Sequence, residues 1–151
     1  MKGHIFSSLL SDDRVQILED KIGYHFTSRD LLREALQSSN GVNGDANKNL
    51  ALIGDAVIDT VLVIHGYGKK QPKGMISDVK SQRAGNKYLT AQGFSLGIDQ
   101  FVVINPSQTV VGVKVMATTM EAIIGAVFLD SGHQLGPCIK LMVVLGLSWP
   151  E

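Results

Sequence analysis

Two carboxylates stand alone in apolar surroundings. Asp55 is the only charged residue in Leu50-Ala51-Leu52-Ile53-Gly54-Asp55-Ala56-Val57-Ile58, and Glu121 is the only one between Ala117 and Leu129. An ionised carboxylate in an apolar setting costs several kcal/mol, so each needs a cation, a hydrogen-bond donor or a proton. Two readings are open. Each acid is a structural contact with a helix end or a lysine, since structural ion pairs perturb carboxylates too. Alternatively, both point into one cleft and hold a divalent cation through oxygen. Asp59 lies one helical turn beyond Asp55 and reads either as an exposed or capping acid or as a substitute ligand. His25, His65 and His133 have no carboxylate or nucleophile at catalytic spacing, His4 sits near the chain terminus, and Cys138 reads as a small core residue.

Helical elements must carry these acids. Val15, Leu18 and Ile22 recur at helical steps before Gly23, which stops the first helix. Thr27 and Ser28 are expected N-caps of a second helix, with Asp30 near capping-box spacing and Leu31, Leu32, Ala35 and Leu36 as its apolar stripe. Residues 38–47 have turn chemistry throughout and read as an exposed loop. A strongly apolar helix follows from Lys48 to Ile64, with Gly66 and Gly68 ending it, and residues 68–74 read as a basic loop. Helical patterning returns from Met75 to Leu96, interrupted at Gly85-Asn86. The β-branched runs 101–104 and 109–115 on their own pass for a hairpin. A second very apolar helix spans Val115–Leu129, closed by Asp130-Ser131-Gly132, and a short one spans Cys138–Leu145. The fold class is mostly α, in one domain: a tail over 1–11 and a domain over 12–147.

Composition bounds the rest. The chain has 151 residues, 44% hydrophobic, with 14 basic and 14 acidic side chains that leave no formal net charge. That supports a real core and points to no partner class by charge alone. A single cysteine excludes an intrachain disulfide and a cysteine-rich zinc site. No segment has the ~20 uninterrupted apolar residues of a membrane span, and no signal peptide is evident. An intracellular protein is expected, with cytoplasm, nucleus and mitochondrion not distinguished.

The text around the two acids resembles the ribonuclease III family. Asn47-Lys48-Asn49-Leu50-Ala51-Leu52-Ile53-Gly54-Asp55-Ala56-Val57 resembles that family's signature, Asn-Glu-Arg-Leu-Glu-Phe-Leu-Gly-Asp-Ala-Val. Thr119-Met120-Glu121-Ala122 through Leu129-Asp130-Ser131-Gly132 resembles its second motif. Leu18–Leu36 looks like its opening helices, and Lys80–Leu89 like its arginine-rich segment. The resemblance runs in consistent order from Leu18 to Gly132. It implies an all-α domain that dimerises through the signature helix and acts on double-stranded RNA. It also replaces the hairpin with a loop leading into the Glu121 helix.

The same resemblance implies Mg²⁺-dependent cleavage by four acids, of which this chain keeps two, Asp55 and Glu121. Ala51 stands where the signature has its second glutamate, and Thr118 where the second motif has an aspartate. Lys48 and Lys73 also occupy positions where the family usually has glutamate. Two Mg²⁺ ions repel one another and need several anionic ligands. Ala51 offers no ligand atom and Thr118 only a neutral hydroxyl, while lysines facing the cleft would add repulsion. One weakly held Mg²⁺ on Asp55 and Glu121, with water and substrate phosphate completing its shell, or no metal at all if the site is fully degenerate, is what the pattern leaves.

The expected function is a double-stranded-RNA-associated protein of RNA processing or of an RNA–protein complex, with cleavage lost or severely reduced. The alternatives are an active divergent endoribonuclease and a dimerisation module with no RNA role. Lys69, Lys70, Lys73, Lys80, Arg83 and Lys87 are the candidate phosphate contacts, against the alternative of a solvated basic face. Only 19 residues follow Gly132, so no double-stranded-RNA-binding domain is expected there and RNA affinity should be modest. The signature helix is apolar nearly all round, which favours a homodimer through Leu52, Ile53 and Ala56, or a heterodimer with another ribonuclease III-like chain. Leu52 takes the place of a family aromatic that lodges in the twin subunit.

Overall fold

Local chemistry starts and stops the first helix. In α1 (Asp12–Ile22) the Ser11 hydroxyl accepts from the Arg14 amide, Asp12 and Asp13 sit in the first turn, and Gly23 closes the last turn at φ 77°. Its Val15, Leu18 and Ile22 are buried, as their spacing predicts. The computed structural model describes residues 10–38, 44–104 and 110–151, and among these every regular element is helical.

The cap of α2 (Arg29–Ala35) differs from expectation. Ser28 is its N-cap residue but makes no side-chain cap bond. The Thr27 and Ser28 amides donate instead to the Asp130 carboxylate, at 2.9 and 2.8 Å, and the Tyr24 hydroxyl joins them at 2.8 Å. A carboxylate from the far end of the chain thus replaces the local cap. Burial, with the hydrogen bond to Asp130 and its charge, pushes the Tyr24 hydroxyl up to about 12. Glu19 is a buried acid that the sequence pattern does not single out. It accepts from the Phe26 amide and the Arg29 guanidinium, both at 2.8 Å, which meets its need for partners.

The turn before the signature helix is less exposed than its composition predicts. Ser38 and Asn47 are buried, because the Asn47 amide group donates to Ala35 O at 2.8 Å and lies 3.4 Å from Thr119 Oγ1. The rest of that expected loop includes residues 39–43, outside the described residues. Then comes α3 (Lys48–Gly68), which runs through Gly66 rather than stopping there. A Cβ on Gly66 would lie 2.7 Å from Ile76 and from the Trp149 ring, so this glycine serves close packing. The basic loop shrinks accordingly, since α4 (Lys73–Arg83) already begins at Lys73. α5 (Asn86–Ser95) follows the break at Gly85, and a short 3-10 turn covers Ile98–Phe101.

No hairpin forms among the described residues. Val103 makes only a single parallel bridge to Gln37, with Val103 N donating to Leu36 O at 2.9 Å. Its would-be partner run instead enters α6 (Val113–Asp130), apart from Thr109, which lies outside the described residues. The last helix, α7 (Leu135–Val144), begins three residues before Cys138 with Pro137 in its first turn, where a missing amide hydrogen costs nothing.

α3 and α6 form the centre, and the other helices pack around them. Their backbones touch: a Cβ on Gly54 would overlap the Glu121 carbonyl, and one on Gly125 would overlap that of Leu50. α3 is long and apolar enough by length and composition to cross a membrane. Here Leu50, Val57, Ile58, Val61 and Leu62 on it are instead buried in the protein's own core.

Candidate active-site cleft

The contact between α3 and α6 builds the site. Gly54 precedes Asp55 and packs on the backbone of Glu121, so the closest approach of the two helices sets the two lone acids side by side. Both are half-buried. Burial pushes the Glu121 carboxyl up to about 8, and the charge of Asp55, a hydrogen bond with it and the charge of Asp59 add to the rise. Near neutral pH the Glu121 carboxyl therefore holds its proton. This is the third way of satisfying a sequestered carboxylate: neither a cation nor a helix end, but a proton.

An open cleft of about 630 Å³ runs over the pair. Ala51 and Thr118 line it beside Asp55 and Glu121, so all four positions singled out by the sequence meet on one surface. Lys48 also lines it, whereas Lys73 does not; it sits exposed at the start of α4. Two charged lining residues escape sequence reasoning. Asp45 lies in a turn and Lys114 in the first turn of α6, where either type passes for an ordinary solvated residue. Asp59 is not part of the lining. Its carboxylate lies 4.0 Å from the Lys80 ammonium, and burial, ahead of the charge of Asp55, raises its pKa against the lowering effect of Lys80.

The six basic candidates differ in their surroundings. Lys69 faces Glu151 at 3.4 Å, and Lys80 faces Asp59. Arg83 is a structural anchor: its Nε donates to Ser148 O at 3.0 Å and its guanidinium stacks 4.5 Å from the Tyr88 ring centroid. Lys70, Lys73 and Lys87 are exposed and in no ion pair among the described residues. Of the dimer candidates, Leu52 is 70% exposed and Ala56 is exposed on the same face, while Ile53 is half-buried against the core. Val63 and Tyr67 extend the exposed stripe of α3, a continuation the short motif does not reveal.

The remaining candidates are placed plainly. His25, expected to lack a carboxylate neighbour, sits exposed at 3.7 Å from Glu19 and 3.5 Å from Asp20, brought there by the turn at Gly23. His133 stacks on Phe128 at 5.4 Å, and His4 lies outside the described residues. Cys138 is fully buried and its thiol is pushed up to about 11 by that burial, the behaviour of a core residue.

Residues 48–132 match the family model described as Ribonuclease III domain, more than half of the chain. The chain belongs to the ribonuclease III family. It is 29% identical over 126 residues to Ribonuclease 3 of Fusobacterium nucleatum, covering 76% of this chain and 54% of that protein. Against Ribonuclease 3 of Campylobacter jejuni it is 26% identical over 136 residues, covering 86% of this chain and 61% of the relative. The chain thus spans a little over half the length of these relatives. The fold agrees: the nuclease domain of ribonuclease III from Campylobacter jejuni superposes with a TM-score of 0.76 at 23% identity, covering 87% of this chain and 95% of that one.

Ribonuclease III domains use Mg²⁺, so the cleft must be tested against it. Among the described residues, no three His, Cys, Asp or Glu side chains are grouped to hold a metal ion. Ala51 has no donor atom, and the ammonium groups of Lys48 and Lys114 border the same cleft. This donor set does not fit a pair of divalent cations, which need several carboxylate oxygens and no adjacent positive charge.

Proposed function

We propose that this ribonuclease III domain associates with double-stranded RNA, in RNA processing or in an RNA–protein complex, with phosphodiester cleavage lost or severely reduced. One observation carries the reading: Ala51 and Thr118, at positions where the resemblance calls for acids, share a cleft with Asp55 and Glu121 and add no carboxylate to it. With Lys48 and Lys114 on the same surface, the ionic groups needed to hold two metals and activate a water are too few. The reading of Asp59 as a substitute ligand loses support from its placement beside Lys80 and outside the cleft lining.

Dimerisation through α3 is the second half of the proposal. The ribonuclease III nuclease domain of Campylobacter jejuni is described as having a region involved in dimer formation. In this chain the exposed apolar stripe of Leu52, Ala56, Val63 and Tyr67 supports a matching interface with a second copy. The domain so assembled comprises residues 12–147.

Duplex-RNA cleavage with Mg²⁺ and Mn²⁺, run beside a gel shift in EDTA, tests the function. The unmodified protein is expected to shift duplex RNA and to leave it intact. The double variant Ala51→Glu with Thr118→Asp supplies two carboxylates to the cleft and is expected to gain metal-dependent cleavage. Efficient cutting by the unmodified protein would establish the active-enzyme alternative, and absence of any shift would leave only the dimerisation module.

A further inference from the structure

Beside the acid-bearing cleft lies a smaller pocket of about 170 Å³, lined by Ser38, Asn47, Lys48, Lys114, Val115 and Thr118. It shares Lys48, Lys114 and Thr118 with the cleft but has no carboxylate in its lining. Neither lysine is in an ion pair among the described residues, and the Thr118 hydroxyl has no protein partner among them. Two lysines outside any ion pair among the described residues, and a threonine, thus line one cavity. Its volume leaves room for a phosphate group with its waters, at ~30 Å³ per water.

Both lysines stand in the first turns of their helices. α1 and α2 carry aspartates in their first turns, as the positive end of a helix favours. α3 and α6 have no acid there and carry Lys48 and Lys114 instead, as α4 and α5 carry Lys73 and Lys87, so each lysine adds to a helix end that is already positive; only Lys48 and Lys114 share a pocket. That arrangement costs stability unless an anion offsets it, and both lysines sit on the same pocket.

We propose that Lys48, Lys114 and Thr118 form a metal-independent phosphate site, in which two ammonium groups grip a backbone phosphodiester directly beside the degenerate cleft. The site itself stands on the pocket. Its assignment to an RNA phosphodiester rests on the reading of the chain as an RNA-associated domain. Lysine is suited to this role as a point charge donating charge-assisted hydrogen bonds to phosphate oxygens. The same two side chains that weaken a divalent-cation site would then replace the attraction that the cation supplies.

Titrating the full chain with inorganic phosphate in EDTA, followed by amide NMR shifts, tests the pocket. Shifts are expected at Lys48, Lys114, Val115 and Thr118, with binding weakened about tenfold by each of Lys48→Ala and Lys114→Ala and retained by Lys48→Arg and Lys114→Arg. Both lysines are exposed, so these variants are expected to keep the parent's spectrum elsewhere. No shifts, or shifts confined to Lys69, Lys70 and Lys73, would overturn the site. A second arm measures duplex-RNA affinity against salt in EDTA, where losing both lysines should flatten the log–log slope by about 2. RNA binding with an unchanged slope overturns the pocket's role and leaves RNA association standing. Phosphate binding without RNA binding upholds the pocket and overturns the RNA reading.

Discussion

Glu121 lies beside Asp55 with part of its hydration removed, and its response to pH follows. Its carboxyl titrates at about 8 in the folded protein, because of burial first and then Asp55 and Asp59, against an ordinary value of 4.5. Between those values the folded state holds a proton that the unfolded state has released. Raising the pH through that window therefore removes stability, and below it the contribution is constant. Glu121→Gln is neutral at every pH. Urea unfolding should show the variant gaining on the parent as pH rises from about 5 to about 8, and a constant gap would contradict the raised Glu121 carboxyl. At this scale the sequence reads well where a residue type is out of place. Asp55 and Glu121 stand out in apolar text, and Ala51 and Thr118 stand out against the resemblance. Lys114 and Asp45 do not, because a lysine or aspartate near a helix start signals nothing until the fold shows what it faces. The contacts of Arg83 are illegible for the same reason, since its partners Tyr88 and Ser148 belong to later elements.

The helices themselves are legible where local chemistry decides them and not where packing does. Ser11 and Gly23 bound α1 as their types predict. Gly66 looks like a stop and is a packing notch, because Ile76 and Trp149 arrive from distant segments. The cap of α2 is likewise supplied by Asp130, about a hundred residues away, at the end of α6. Gly54 and Gly125 matter most at this scale, since they allow α3 and α6 to meet backbone to backbone and so place Asp55 beside Glu121. Gly54→Ala would drive a methyl into the Glu121 carbonyl, a rigid neighbour that cannot rotate away. Its cost should exceed the usual overpacking penalty, reaching about 3 kcal/mol or more. Gly74→Ala is the control: nothing lies within 4 Å of its added Cβ, and it sits inside α4. There alanine should stabilise by roughly 0.5–1 kcal/mol through helix propensity and a less flexible unfolded chain. Denaturant midpoints of the two variants should move in opposite directions.

At the scale of the whole molecule, the zero net charge conceals an uneven distribution. Acids meet lysines in one cleft, while one face of α3 carries apolar side chains at spacings of four, seven and four residues, with Asp59 set between Ala56 and Val63. Leu52, Ala56, Val63 and Tyr67 fall on that face, spanning about 22 Å at 1.5 Å per residue. Leu52 is 70% and Tyr67 81% exposed, yet the opposite side of the same helix is core. A helix apolar on both sides needs two partners, and the monomer supplies one. The second is proposed to be another copy related by two-fold symmetry, in which each stripe residue is buried twice. Burying a leucine is worth ~1.5–3 kcal/mol, so Leu52→Asp removes about twice that from a symmetric dimer, before any cost of burying the new charge. The dissociation constant should rise by roughly two to four orders of magnitude. Leu52→Asp lies on the surface of the monomer, so the helical content should be unchanged while the sedimentation coefficient becomes monomeric at concentrations where the parent is dimeric. A parent that sediments as a monomer would overturn the homodimer, and a variant that still dimerises would place the subunit contact elsewhere; either leaves the stripe free for a different chain.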